Sequence, residues 1–238
     1  MKRFWDTASF AATGDGYAVL LDGRPMHLPG GATLRVKQRA VAAAIAEEWQ
    51  QAGGAKGGEM SFDDTPLTRL VGTTQQRIAP DPAPTVDAIA RYGESDLLCY
   101  RADAPETLVQ RQSQAWQPWL DWAARAHDAP LRVTTGVGHV RQHRDSIQAL
   151  RNAVAAMDVD SLAALGIAVP ALGSLVLGLA LADGALDAQS AFELGCLDEL
   201  YQAELWGEDA EAAVRRRAIA AEVGLAARYI ALTREQAA

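Results

Sequence analysis

The stretch from Ser161 to Ala182 contains no charged residue. A run of this length is buried either in a bilayer or in the protein's own interior. Pro170, Gly173 and Gly178 interrupt it, Asp160 and Asp183 bracket it, and no Lys or Arg flanks it closely. The cytoplasmic flank of a spanning helix is usually rich in Lys and Arg. The pattern therefore predicts two buried helices that meet near Pro170.

A second stretch, Arg91 to Ala123, holds three of the six tryptophans and one of the two cysteines. After Leu97, Leu98, Cys99 and Tyr100 comes a helical pattern in which Leu108, Ala115, Trp116, Trp119, Leu120 and Ala123 share one face. Asp103 is expected to cap it, with Glu106 three residues on, and Pro118 to kink it. Trp116 and Trp119 are expected in the core.

The first 36 residues read differently. Phe4 to Phe10 is a candidate strand, Thr13 to Gly16 a turn, and Tyr17 to Leu21 a second strand. Asp22-Gly23 is a two-residue hairpin signal, Met26 and Leu28 return beyond it, and Pro25 places the returning strand at an edge. Leu34 and Val36 suggest a further short strand. Connections this short make an antiparallel meander. From residue 37 the period changes: Val41, Ala44, Ile45, Trp49 and Ala52 form a helical stripe that Gly53-Gly54 stops. Thr65 is expected to cap, and Pro66 to open, a helix through Leu67, Leu70, Val71 and Ile78.

Asp81-Pro82-Ala83-Pro84 reads as a linker, and helices follow almost throughout. One covers Thr85 to Tyr92, and Leu131 to Val137 is a short extended connection. Ile147, Leu150, Val154 and Met157 mark another helix. Asp187 caps one carrying Leu194, Leu197, Tyr201 and Leu205, which Gly207 ends. Asp209 caps the last, with Val214, Ala218, Ala221, Leu225 and Leu232 as its apolar face. The fold class is α+β: an antiparallel β-meander with helix in an N-terminal domain, residues 1–80, then an all-α domain, residues 81–238.

With 22 basic against 30 acidic residues the net charge is −8, which disfavours general binding to nucleic acid or anionic membrane. Cys99 and Cys196 lie in apolar surroundings without metal-clip spacing and read as reduced core residues. Glycines 53 to 58 lack the Lys-Ser/Thr ending of a phosphate loop, and no Ser has Gly-x-Ser-x-Gly spacing. His139 and His143, four apart, could hold a metal with a carboxylate such as Asp63 or Asp64 in a small hydrolase. The alternative is an exposed loop pair, with Asp63-Asp64 serving the helix that follows. Arg215-Arg216-Arg217 reads as a solvated helix face, with pairing to a partner's carboxylates as the alternative. Asp198 stands in an apolar stripe among Glu199, Glu204, Glu208 and Asp209, either paired with a neighbouring cation or facing a partner.

These residues resemble the assembly chaperones, of the ATP-twelve type, that hold the α subunit of the F-type ATP synthase head until it joins β. The matching pieces are Phe4, Leu21-Asp22-Gly23-Arg24-Pro25, Glu48-Trp49 and Pro66-Leu67-Thr68-Arg69-Leu70. Further along are Ser95-Asp96-Leu97-Leu98-Cys99-Tyr100-Arg101, Arg111-Gln112, Ala115-Trp116 and Leu120-Asp121-Trp122. The last are Leu197-Asp198-Glu199, Tyr201-Gln202 and Trp206-Gly207. The resemblance implies a non-enzymatic chaperone with no cofactor or metal, whose client is the unassembled F1 α subunit. It implies client contact at Asp198, Glu199, Tyr201, Gln202, Trp206, Gly207, Glu208 and Asp209. Trp49, Arg69, Asp96 and Trp116 are then motif residues of the framework. The free chain is expected to be a monomer. With no presequence evident in Met1 to Thr7, the cytoplasm of a bacterium fits, or the mitochondrial matrix for a mature chain. A scaffold for another complex is a third reading.

Overall fold

The computed structural model describes residues 1–235. Its contacts divide the described residues into two compact units, one from Met1 to Asp81 joined by residues 228–235, the other from Pro82 to Ala227.

In the first unit, strands β1 (Ala8–Thr13) and β2 (Gly16–Leu21) pair antiparallel from Ala8 opposite Leu21 to Thr13 opposite Gly16. The turn at Asp22-Gly23 has φ of 48° and 77°, the doubly positive geometry that matches strand twist. Asp22 tolerates it because its carboxylate accepts the backbone N–H groups of Asp6 (3.0 Å) and Thr7 (2.8 Å). β3 (Arg24–Pro25) and β4 (Arg35–Val36) both pair with β2. The first strand thus starts at Ala8 rather than Phe4. The preceding residues are held instead by Arg3, whose guanidinium donates to the carbonyls of Gln50 and Gly54, both at 2.7 Å, and of Asp6 at 3.0 Å.

Helix α1 (Arg39–Gln51) packs on β1 and β2 and buries Val41, Ala44, Ile45 and Trp49. α2 (Pro66–Thr73) runs into a π turn, Thr74–Ile78. Thr65 does not cap α2 with its side chain. Glu48 does so from α1: its carboxylate accepts Leu67 N at 2.7 Å and Thr68 N at 3.0 Å. A carboxylate from another element serves the dipole and the orphan N–H groups as well as a local cap does. Trp5 lies fully inside this unit, its indole N–H on the Trp49 carbonyl at 3.1 Å.

The second unit is helical. Ala83 and Pro84 already belong to α3 (Ala83–Ala90), so the linker is shorter than its composition suggests. β5 (Tyr100–Arg101) follows, then α4 (Glu106–His127) and β6 (Thr134–Thr135), which pairs parallel with β5. Asp103 is exposed and caps nothing in α4, which starts directly after the extended Pro105. α4 continues through Pro118 and buries Leu108, Gln112, Trp116, Leu120 and Ala123. Trp119 is only half-buried and meets Trp122 edge-on. A glutamine takes the core position that an apolar stripe would not assign to it.

Next come α5 (Arg144–Ala155), α6 (Val159–Leu172) and α7 (Leu175–Asp183). The uncharged run forms α6 and α7 as two buried helices. Their junction is Gly173-Ser174 rather than Pro170, which lies inside α6. Gly173 takes φ 64°, and the Ser174 hydroxyl caps Leu177 N at 3.1 Å. Gly178 lets the helices close, since a Cβ there would collide with Val169. Among the described residues no helix is long and apolar enough to cross a membrane.

The chain ends in α8 (Ala188–Gly195), α9 (Leu197–Trp206) and α10 (Ala210–Arg234). The helix expected across Leu194 and Leu197 is broken at Cys196 (φ −105°, ψ 15°), so Leu194 and Asp198 belong to different helices. α10 presents another face than expected. Ala213, Arg216, Val223, Ala226 and Ile230 are buried, whereas Val214, Ala218 and Ala221 are exposed.

Candidate functional site: the α9–α10 elbow

Between α4 and α9, three polar pairs form a seam. Gln112 Nε2 donates to Asp198 Oδ1 at 2.7 Å. Arg111 grips Glu204 with two bonds of 2.6 and 2.8 Å. The Thr107 and Tyr201 hydroxyls share a hydrogen bond at 2.5 Å, and the Arg111 guanidinium lies 5.9 Å from the Tyr201 ring centre. Bidentate Arg–carboxylate pairing adds geometric definition as well as energy. The same pairing holds the Glu204 carboxyl below its usual range.

Asp198 is half-buried, and its partner is an amide, not a cation. The orientation of Gln112 is fixed, because its Oε1 accepts Ala102 N at 2.7 Å, leaving the NH₂ for Asp198. Arg101, itself buried, donates to the carbonyls of Leu98 (2.9 Å) and Gln112 (2.5 Å) and lies over the Trp116 ring. The Trp116 indole N–H reaches the Leu194 carbonyl at 3.0 Å. Arg111 and Gln112 therefore brace the helix that carries Asp198, Arg101 holds Gln112 in place, and Trp116 ties α4 to the end of α8.

Across the elbow, Glu199 bonds Arg215 at 2.8 Å and lies 3.9 Å from Arg216, while Arg216 holds Glu208 at 3.0 Å. The basic run is thus not simply a solvated face, since Arg216 is buried. Gly207 turns the chain at φ 87°, and the Asp209 carboxylate accepts Ala212 N at 2.8 Å to cap α10. The outward side shows Gln202, Leu205 and Trp206, beside the capping Asp209. Leu205 is 54% and Trp206 75% exposed. Beside Trp206 a shallow cavity of about 440 Å³ runs over Ala203 and Ala212 to Arg215. An exposed indole on a braced helix end, with carboxylates around it, suits protein recognition.

The other candidates lie apart from this elbow. Asp96 is fully buried and accepts Leu98 N, the Ser174 hydroxyl and Val176 N at 3.1, 2.8 and 3.0 Å. Trp49 is buried with its N–H on the Thr68 hydroxyl at 2.8 Å, and Arg69 pairs with Asp63 at 2.6 Å. Asp64 accepts Ser61 N at 2.7 Å in a capping box. His139 and His143 precede α5 in irregular chain rather than sharing a helical face. One contacts the Tyr100 hydroxyl at 3.1 Å, the other the Arg132 guanidinium at 2.6 Å. Among the described residues no group of three or more His, Cys, Asp or Glu is placed to hold a metal. Burial pushes the Cys99 thiol up to about 12 and the Cys196 thiol up to about 11, which makes both poor nucleophiles.

The family model described as ATP12 chaperone protein matches residues 2–124. The chain belongs to the ATP12 chaperone family. Its fold agrees with the crystal structure of Atp12 from Paracoccus denitrificans at a TM-score of 0.89, with 41% identity and 98% of each chain covered. The Atu1473 protein of Agrobacterium tumefaciens is also similar, with a TM-score of 0.86, 37% identity, and 96% of this chain and 84% of that one covered. A mitochondrial Atp12 protein of Schizosaccharomyces pombe is 23% identical over 222 residues, 88% of this chain and 75% of its own length. Gln112 and Asp198, 86 residues apart in sequence, meet in the seam. In the first unit, Glu48 and Trp49 meet each other through the Thr68 hydroxyl.

Proposed function

We propose that this chain is an assembly chaperone for the F1 sector of ATP synthase. It binds the unassembled α subunit and keeps its apolar interface from aggregating before it pairs with β. The observation that carries this reading is Trp206, 75% exposed at the end of α9 beside Leu205. A large apolar ring held in water costs solvation, and it is justified where a partner covers it. Gln202, Trp206, Gly207 and Asp209 form the contact. Asp198, Glu199, Tyr201 and Glu208 hold α9 and α10 in the presenting geometry through Gln112, Arg215, Thr107 and Arg216. The free chain acts as a monomer, without cofactor, and an apolar centre with a charged rim allows binding and later release.

Light scattering of α subunit diluted from denaturant tests this. Equimolar wild-type chain should suppress aggregation, and Trp206→Ser should need roughly ten- to a hundredfold more protein, the scale of an interface hot spot. Its melting temperature should stay near that of wild type. No suppression by wild type, or equal suppression by both proteins, would remove the reading.

A further inference from the structure

We infer that the N-terminal unit carries a second client-contacting surface, a groove that takes an extended apolar segment bearing carboxylates. This goes beyond the α9–α10 site, in another unit and with the opposite charge. The groove is a cavity of about 930 Å³ with Leu21, Met26, Leu28 and Trp49 along it. Gly72 lets the Leu28 side chain pack against α2 in its floor, since a Cβ there would stand 2.9 Å from Leu28. Two of its lining residues, Phe4 and Phe62, are 64% and 59% exposed. Apolar side chains this open around a concave site favour an occupant with its own apolar groups.

Charge selects among such occupants. The whole chain carries −8, yet the groove is lined by Arg24, Arg69 and Arg77 and by no carboxylate. Arg69 is engaged with Asp63. Arg24 and Arg77 are exposed and form no ion pair among the described residues. Two uncommitted guanidiniums beside an apolar trough match a strand-like segment with apolar side chains inward and Asp or Glu at its ends. In a chaperone family the occupant is a polypeptide, exposed before assembly and hidden after it.

The test uses the full chain and two fluorescein-labelled synthetic peptides, each with alternating Leu and Phe. One has Asp and Glu at both ends, the other Lys, and binding is read by fluorescence anisotropy at low and high salt. The acidic peptide should bind at least about tenfold more tightly, with the preference shrinking in salt. The double variant Arg24→Glu, Arg77→Glu should reverse the preference. Thr73→Trp, which fills the groove from an exposed position of α2, should abolish binding of both, with melting temperatures confirming the fold. Trp206→Ser should leave peptide binding unchanged, which separates this surface from the elbow. Equal affinity for the two peptides, no binding of either, or indifference to the double variant would overturn the assignment. So would self-association abolished by Thr73→Trp, which would give the groove to a second copy of the chain.

Discussion

Asp96 lies wholly inside the helical unit, and its three hydrogen-bond donors favour the ionised form while the loss of water opposes it. Burial dominates and pushes its carboxyl up to about 6. A folded-state pKa above the unfolded value means that the native protein binds the proton more tightly. The contribution of Asp96 to stability therefore rises as pH falls from 7 through about 6 and levels off below the unfolded value of about 3.9. Urea unfolding of wild type and Asp96→Asn at pH 7 and 4.5 should show wild type gaining on the variant by on the order of 1–2 kcal/mol at the lower pH. At Thr68 one hydroxyl accepts from Trp49 and donates to Glu48 at 2.6 Å. Thr68→Val strands both groups and should cost about 1–3 kcal/mol in the same assay. Burial also raises the Glu48 carboxyl, with Thr68 and Leu67 opposing the shift.

Among the elements, α10 shows where periodicity fails. Its many alanines give little contrast between faces, and the buried side includes Arg216, which a hydropathy reading assigns to water. The register has a direct check: Ala213→Asp should destabilise by about 2 kcal/mol or more. Val214→Asp, one residue on at an exposed position, should stay within about 0.5 kcal/mol. Glu199 has a structural contact as well, since Glu199→Lys would face Arg215 and the buried Arg216 with a third cation. This substitution should lower stability by on the order of 1 kcal/mol as well as weaken binding. The β1–β2 hairpin, the Asp22-Gly23 turn, α1 and the buried α6–α7 pair were legible because turn chemistry and apolar runs are local signals. The Glu48 cap on α2 and the Gln112–Asp198 bond were not, because each joins residues far apart in sequence. Which face of α9 meets water depends on α4 and α10, so the exposure of Leu205 and the tethering of Glu199 appear only in the fold.

At the scale of the molecule, each unit contributes its own surface. The helical unit offers an indole and carboxylates on a braced elbow, and the N-terminal unit offers an apolar trough with free arginines. A chaperone that must release its client gains from two moderate contacts, since losing one lowers affinity steeply when both depend on simultaneous engagement. Membership of the ATP12 family supplies the chaperone role, and the elbow is the place proposed for it. The direct measurement is a calorimetric titration of the full chain with isolated F1 α subunit and, separately, with β. The account predicts one-to-one binding of α, little or none of β, and release of the chain when β is added to the α complex. Failure to bind α, or equal binding of α and β, would contradict it.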